Sequence, residues 1–395
     1  MTDAHDVVIV AAKRTPLGTM QGCFSTLSAS ELAATTFRAV LEQSGLHGSD
    51  LDEVLMGCVL QAGQGQAPAR QASFLAGIPE SVPATTLNKM CGSGMKAMMI
   101  GFDAIKAGSA NIVLVGGMEN MTQAPYLLQK ARGGYRLGHG EIKDHLLLDG
   151  LEDAYEPGRL MGSFADETAK HLNITRETQD AYAKRSMTRA LQAQKAGAFH
   201  EEIVPVAINI KKIEHLISED ESPDPEKLEK IDRLKSAFSK EGTVTAGNAS
   251  SIADGAASLI LMSAQEAKNR GIKPIARIIA HATHAQAPAL FTTAPVQAIQ
   301  KVLKKANLRV DEIDLYEINE AFALVAIAAI NGLNLNPDVV NIHGGACALG
   351  HPIGASGARI VTTLLYALKQ KHKHRGLAAL CIGGGEATAM IIERL

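Results

Sequence analysis

Two stretches that lie far apart in this 395-residue chain share one pattern, a helix followed by a buried strand and consecutive glycines. The first runs over 95–117 and ends in two glycines, and the second runs over 357–385 and ends in three. Such self-similarity indicates the duplication of a supersecondary unit. Strands that alternate with helices at this spacing predict a mostly parallel sheet with covering helices. We therefore expect an α/β protein built from two similar halves.

The hydrophobic pattern predicts individual elements in both halves and a different middle region. Strands are predicted over 6–13, 53–60, 111–120, 273–284 and at the start of 339–371, helices over 28–45, 95–106, 177–197, 293–308 and from about 356, a strand running into a helix over 311–331, and a terminal hairpin over 376–395. The middle is richer in charge and turn residues, which indicates an insertion of loops and helices. The predicted domains are 1–120 plus 243–272, an inserted loop domain over 121–242, and 273–395.

Charge and cysteine usage exclude several classes of protein. The formal net charge is −2, from 39 basic and 41 acidic residues, so nothing favours binding to nucleic acid or to an anionic membrane. No apolar run approaches the ~18 residues of a membrane span. Five cysteines without a C-x-x-C pair argue against a disulfide framework and against a zinc site. We expect no metal and a location in the reducing cytoplasm.

One cysteine stands directly before a predicted helix, in "LNKMCGSGMKAM". The small residues after Cys91 allow other groups to approach its backbone. Free N–H groups and the positive end of the helix dipole would favour a thiolate there, lower the pKa of the thiol and make the sulfur a nucleophile. The same pattern also fits a buried structural cysteine, since free cysteine is among the most buried residue types.

Other polar residues occur in loops of small residues. His351 lies in "GHPIGASGAR" before a helix, and Cys381 ends a strand in "LCIGGGEA". Asn319 stands in "EINEAFA" at a strand-to-helix junction, where a helix N-cap is the alternative explanation. His351 also fits a structural histidine, and Cys381 a buried strand cysteine beside a glycine bulge. The glycine-rich pieces match neither a dinucleotide-binding motif nor a P-loop.

Taken together and in this order, these motifs resemble the thiolase family. The segments that carry the resemblance are "VVIVAAKRTPLG", "NKMCGSGMKA", "GTVTAGNAS", "NEAFA", "GGACALGHPIGASGAR" and "CIGGG". They extend over nearly the whole chain, and the resemblance is weakest between about 130 and 240. The "CGSGMKA" form is similar to that of the biosynthetic acetoacetyl-CoA thiolases. The fold implied is a pair of duplicated βαβαβαββ halves in a five-layered αβαβα arrangement.

The resemblance implies acetyl-CoA C-acetyltransferase activity, that is, Claisen condensation of two acetyl-CoA to acetoacetyl-CoA and CoA and the reverse thiolysis. Cys91 would carry the acetyl group, His351 would take its proton, and Cys381 would remove the α-proton of the second acetyl-CoA. His351 with a water held by Asn319 would form one oxyanion hole, and the N–H groups of Cys91 and Gly383 the other. No cofactor is implied beyond CoA itself as substrate and product.

Further implications concern binding and assembly. Ser250 matches the residue that contacts the pantetheine arm of CoA, and the resemblance implies a homotetramer built from dimers. Two positions depart from the biosynthetic pattern, because Leu160 stands where a histidine is usual and Phe291 where methionine is typical. Both affect the expected acyl preference. A ketoacyl-synthase-type condensing enzyme and a non-catalytic CoA- or lipid-binding protein are the competing readings, and the second catalytic cysteine argues against the former.

Overall fold

A computed structural model describes residues 4–395, so the first three residues of the predicted N-terminal half lie outside it. The strands are β1 Val7–Arg14, β2 Gly18–Thr19, β3 Glu53–Gly57, β4 Ala84–Leu87, β5 Ile112–Asn120, β6 Tyr126–Leu128, β7 Ile142–Asp144, β8 Val206–Ile210, β9 Ile213–Ile217, β10 Ala253–Ser263, β11 Ala276–Ala285, β12 Leu315–Ile318, β13 Arg375–Ile382 and β14 Glu386–Arg394. The helices are α1 Ala29–Ser44, α2 Pro68–Leu75, α3 Ser93–Lys106, α4 Met161–His171, α5 Arg176–Lys195, α6 Pro225–Lys230, α7 Ala264–Arg270, α8 Ala294–Ala306, α9 Ala323–Leu333, α10 Ala346–Leu349 and α11 Ser356–Gln370.

A ten-stranded sheet runs through the molecule in the order β12-β13-β14-β11-β1-β10-β5-β3-β4, with β2 paired to β10. Pairing is parallel for β12 with β13 at one edge and for β3 with β4 and β5 at the other. The central pairings are antiparallel. The prediction of a mostly parallel sheet was therefore wrong. The central strands pair antiparallel because of their connections. β14 follows β13 through a tight turn, and β10 enters from the middle region without a helical crossover.

The elements stack in five layers, as predicted. One core lies between the N-terminal strands and the outer helices α1, α2 and α7. A second core encloses α3 and α11 between the strands of the two halves. A third lies between the C-terminal strands and the helices α8 and α9. Three separate cores therefore bury both faces of each half-sheet. This explains why the sequences of the central strands are continuous apolar runs.

The two helices of the central layer cross at a pair of reciprocal glycines. A Cβ on Gly357 would lie 2.3 Å from the backbone nitrogen of Met95, and a Cβ on Gly94 would lie 2.9 Å from that of Ala358. No larger residue fits at either crossing without a backbone shift. Each glycine follows a serine that opens its helix, at equivalent places in the two halves. The crossing therefore holds the N-termini of α3 and α11 side by side.

Most predicted elements are confirmed, with ends displaced by a few residues. The helix predicted over 28–45 is α1, whose N-cap Ser28 accepts from the backbone N–H of Glu31 while the Glu31 side chain accepts from that of Ser28. The strand predicted at the start of 339–371 is wrong. Pro337–Val339 form a 3-10 turn instead, and Asn341 has a left-handed φ of +48°, which a strand does not tolerate.

The middle region contains the helices α4, α5 and α6 and the two hairpins β6–β7 and β8–β9. Its attachment to the first strand is ionic and fully buried. Arg14 pairs with Glu202 at 2.5 Å and with Asp220 at 2.7 Å. The domain boundaries proposed above stay a prediction. Among residues 4–395, no helix combines the length and the apolar character that crossing a bilayer requires.

Candidate active site

The loop that carries Cys91 is short and internally hydrogen-bonded. Gly92 donates to the carbonyl of Lys89 at 3.0 Å, and Ser93 donates from its backbone to the carbonyl of Met90 at 3.0 Å. Met90 has φ +46°, an unusual value for a side chain of this size, which costs about 1–3 kcal/mol and persists only where neighbours enforce it. The strained turn places Cys91 directly before the N-cap Gly92 of α3.

His351 lies in the loop between α10 and α11 and is 6% exposed. Its backbone N–H donates to the carbonyl of Ser251 at 2.9 Å, which fixes the loop on the segment before β10. Its ring Nδ1 lies 2.6 Å from the hydroxyl oxygen of Ser356, the first residue of α11. That hydroxyl donates in turn to the carbonyl of Pro352 at 2.9 Å. The imidazole is therefore held from one side by the helix that follows it.

Cys381 lies near the end of β13 and is completely buried. The turn after it brings the backbone N–H of Gly383 into a hydrogen bond with the sulfur of Cys91. Burial raises the pKa of the Cys381 thiol, and a charge on the nearby Cys91 raises it further. Gly384 and Gly385 have φ of +90° and +89°, so the tight turn requires glycine at both positions. The two cysteines, remote in sequence, thus meet at one point.

Asn319 follows β12 and is 1% exposed. Its Nδ2 lies 3.4 Å from Nδ1 and 3.5 Å from Nε2 of His351. Its Oδ1 is buried and has no protein partner among the described residues. The N-cap of α9 is Phe322, so the alternative explanation of Asn319 as a helix cap was wrong. A buried amide oxygen without a partner is what a site for a water or a ligand group would leave behind.

Glu320 anchors this segment through a fully buried carboxylate. It accepts hydrogen bonds from Tyr182 at 3.1 Å and Ser186 at 2.6 Å on α5, from the amide of Asn341 at 2.8 Å, and from the backbone N–H of Cys347 at 3.1 Å. The middle region and the C-terminal half are joined by these bonds. The residue before it, Asn319, is held in place as a result.

A cavity of about 400 Å³ opens beside the histidine. It is lined by Met121, Leu147, Leu151, Leu160, Met161, Gly162, Ala237, Phe238, Thr245, Ala246, Ala249, Ser250, Ser251, Ile252, Ala321, Phe322, His351 and Ile353. Ser250 and Leu160 are therefore wall residues, whereas Phe291 is buried behind the wall with its ring centroid 6.4 Å from that of Phe322. Cys91 packs against the apolar cluster that contains Met121 and Ile353.

Cys91 and His351 are both uncharged at neutral pH. Burial raises the pKa of the Cys91 thiol to about 11, although the Gly383 N–H opposes the shift. Burial, with the nearby Arg359 guanidinium, lowers the pKa of His351 to about 3. The prediction that the helix N-terminus would lower the pKa of Cys91 was therefore wrong, because desolvation of a thiolate outweighs the dipole here.

Alkylation of Cys91 by iodoacetamide is expected to accelerate about tenfold per pH unit from about pH 7 to about pH 10. A raised pKa keeps the thiolate scarce, so its fraction keeps growing until the pH approaches the value of about 11. Peptide mass spectrometry would follow the Cys91 peptide. A free cysteine peptide is the control, since its rate levels off above about pH 8.5. A plateau for Cys91 below about pH 9 would contradict the raised pKa.

Glu119 was missed by the sequence reasoning. Its carboxylate is fully buried at the end of β5 and accepts backbone N–H groups from Val59 at 3.0 Å, Leu60 at 3.1 Å and Gly354 at 2.8 Å. Burial raises its pKa to about 7 against these hydrogen bonds. It joins a loop of the N-terminal half to the loop of His351. Only an isolated charge in an apolar strand could have signalled it in the sequence.

These features define a class of protein, an α/β enzyme with two neighbouring cysteines, a backbone N–H donor on one of them and a neutral histidine that lines a cavity. Comparison with known proteins gives the family. The family model of the thiolase N-terminal domain matches residues 7–265, and that of the thiolase C-terminal domain matches residues 272–394. The chain belongs to the thiolase family.

Its relatives cover it almost completely. An acetyl-CoA acetyltransferase of Escherichia coli is 49% identical over 98% of this chain and 99% of its own length. One of Schizosaccharomyces pombe is 47% identical over 99% of both chains. The crystal structure of the Bacillus anthracis acetyl-CoA acetyltransferase superposes with a TM-score of 0.96 at 40% identity, over 99% of both chains. The duplicated five-layer fold is therefore that of the thiolases.

Proposed function

We propose that this chain catalyses the reversible Claisen condensation of two acetyl-CoA to acetoacetyl-CoA and CoA, through an acetyl group carried by Cys91. The observation that carries the proposal is the meeting of Cys91, Cys381 and the Gly383 N–H beside a cavity lined by His351. Two neighbouring sulfur atoms, one of which accepts a backbone N–H, suit a reaction that needs both a nucleophile and a base. Full-length relatives named acetyl-CoA acetyltransferase support the same reaction.

In the first half-reaction Cys91 attacks the thioester carbonyl while its S–H proton passes to the neutral His351. The tetrahedral oxyanion is stabilised by the N–H groups of Cys91 and Gly383, at about 3 kcal/mol for each donor. The C–S bond to CoA then breaks, the CoA sulfur takes the proton back from His351, and acetyl-Cys91 remains. A histidine that is neutral at rest is suited to both transfers.

In the second half-reaction the thiolate form of Cys381, which is scarce because burial raises the pKa of the thiol, removes a proton from the methyl group of the second acetyl-CoA. The enolate oxygen is stabilised by His351 and by a water on Asn319, whose unpartnered Oδ1 supports this role. The enolate carbon attacks the acetyl group, the bond to Cys91 breaks, and Cys381 returns its proton to the Cys91 thiolate. Acetoacetyl-CoA leaves. Both sulfurs must stay reduced, so we place the enzyme in a reducing compartment such as the cytoplasm.

We assign the CoA arm to the cavity beside His351, with Ser250 contacting the pantetheine. Ser250 lies on the wall, and its backbone N–H donates to the carbonyl of Ala321 at 3.0 Å, which fixes its position. Leu160 and Met161 make the opposite part of the wall apolar. The reaction requires no further cofactor and no metal.

Thiolysis tests the proposal and the acyl preference together. The expected order of kcat/KM is acetoacetyl-CoA above 2-methylacetoacetyl-CoA, with longer 3-ketoacyl-CoA lower by about tenfold or more for each added methylene that the site cannot hold. Release of acetyl-CoA is followed by chromatography, with a reaction lacking CoA as the control. Equal rates for all chain lengths would contradict the acetyl preference, and no cleavage of any substrate would contradict the proposed function.

We further propose that the chain forms a homotetramer, in which part of the middle region takes part in assembly. Apolar side chains are exposed there in the single chain, among them Tyr126 at 70%, Leu137 at 99% and Ile142 at 67%. Patches of this kind commonly mark protein contacts. Light scattering coupled to size exclusion is expected to give the mass of four chains, and the mass of one chain would contradict the assembly.

A further inference from the structure

The hydroxyl of Ser356 is placed to decide which ring nitrogen of His351 carries the proton. Ser356 and His351 are both buried, at 0% and 6% exposure, and Nδ1 to Oγ is 2.6 Å. A serine hydroxyl has one hydrogen to donate. Ser356 gives that hydrogen to the carbonyl of Pro352 at 2.9 Å. When Ser356 makes this bond, its oxygen faces Nδ1 as an acceptor and Nδ1 is the donor.

The other half of the molecule contains the same arrangement with an unambiguous direction. Ser93, the first residue of α3, donates its hydroxyl hydrogen to the carbonyl of Met90 at 2.6 Å and accepts the backbone N–H of Lys89 at 2.8 Å. A backbone N–H can only donate. Ser356 opens α11 at the equivalent place. Ser93 thus holds the loop of Cys91, and Ser356 holds the imidazole ring of His351.

Asn319 cannot take over this task. The nearer atom of its amide is Nδ2, at 3.4 Å from Nδ1 and 3.5 Å from Nε2, and an amide nitrogen is a donor. Among the described residues, Ser356 is thus the hydrogen-bond acceptor placed at the ring of His351. Because the partner of one ring nitrogen sets the state of the other, Nε2 keeps its lone pair free.

We propose that Ser356 is a positioning residue of the reaction, which holds His351 as the Nδ1–H tautomer so that Nε2 can take the proton of Cys91. When Nε2 is protonated, the S–H bond of Cys91 breaks and the imidazolium keeps its Nδ1–H bond to Ser356. This inference rests on the proposed function for its catalytic consequence. The tautomer itself does not depend on which substrate is used.

The first test measures directly which tautomer His351 adopts. Nitrogen-15 NMR of the full-length protein with labelled histidine is expected to show His351 protonated at Nδ1, with the signals assigned from their loss in His351→Gln. Ser356→Ala is expected to give a mixture of the two tautomers. Protonation at Nε2 in the wild-type protein would overturn the proposal, even if Ser356→Ala failed to fold.

The second test measures the effect of Ser356 on catalysis. Ser356→Ala is expected to lower kcat for acetoacetyl-CoA thiolysis by roughly 10- to 100-fold with KM nearly unchanged, less than the ~10⁴-fold fall that follows when a catalytic histidine is locked in the wrong tautomer. Ser356→Thr, which keeps the hydroxyl, is expected to restore most of the rate. The matched control is Thr362→Val, which removes a buried hydroxyl without a hydrogen-bond partner from the same helix.

The outcomes separate the two proposals. Full activity of a folded Ser356→Ala, or a loss in Thr362→Val as large as that in Ser356→Ala, would overturn the role of Ser356. A wild-type protein that is protonated at Nδ1 but cleaves no 3-ketoacyl-CoA would leave the tautomer assignment standing and overturn the proposed function instead.

Discussion

Replacement of Cys91 by alanine is expected to abolish acetylation of the protein and to lower thiolysis by about 10⁴-fold or more, as removal of a nucleophile does in other covalent enzymes. The sulfur of Cys91 accepts the Gly383 N–H and lies beside Cys381, and on this arrangement we assign the acetyl group to it. Mass spectrometry of the intact protein after treatment with acetyl-CoA would detect the missing acetyl group.

The control for this variant is Cys23→Ala, which removes a half-buried thiol beside Glu221. It is expected to accept one acetyl group and to retain its rate. An acetyl group found on any residue other than Cys91, after digestion and sequencing of the labelled peptide, would refute the assignment of the nucleophile.

Replacement of Cys381 by alanine is expected to separate the two half-reactions. Acetylation of Cys91 should persist, because the first half-reaction uses His351 as its base. Condensation and thiolysis should fall by about 10³-fold or more, since general base catalysis contributes about 10²–10⁴-fold. The measurement is the stoichiometry of acetyl-enzyme beside the rate of acetoacetyl-CoA formation.

Cys381 is fully buried, so the variant needs a check of its fold. Thermal unfolding should shift only modestly, because a thiol is a small side chain and the cavity left by alanine is correspondingly small. A folded Cys381→Ala that fails to accept the acetyl group would show that the roles of the two cysteines are interchanged. A variant that still condenses acetyl-CoA at the wild-type rate would exclude Cys381 as the base.

Much of this architecture could be predicted from the sequence because the duplicated pattern is strong. The helix–strand–glycine repeats correspond to α3 with β5 and to α11 with the end of β13. Glycines before a helix and after a strand mark close approaches, and these positions do adjoin Cys91, His351 and Cys381. The residue types alone left each of the three open to a structural explanation. Their order along the chain, compared with a known family, gave the stronger prediction.

Other features could not be predicted because they depend on contacts between distant segments. The antiparallel centre of the sheet follows from the connections within each half and from the antiparallel pairing of β1 with β11 where the halves meet. The pKa of Cys91 depends on burial, which opposes the helix dipole that the local sequence suggested. Glu119 and Ser356 act on loops through hydrogen bonds that no local sequence pattern predicts.

The crossing of α3 and α11 also limits how such a chain can change by recombination. Gly94 and Gly357 each pack against the backbone of the opposite half. A half taken from another protein would therefore need a glycine at the same position of its helix. No layer of side chains lies there to absorb a mismatch. The distance between the Cys91 thiol and the His351 imidazole is consequently set by main-chain geometry. Substitutions at the surrounding core positions therefore change it little.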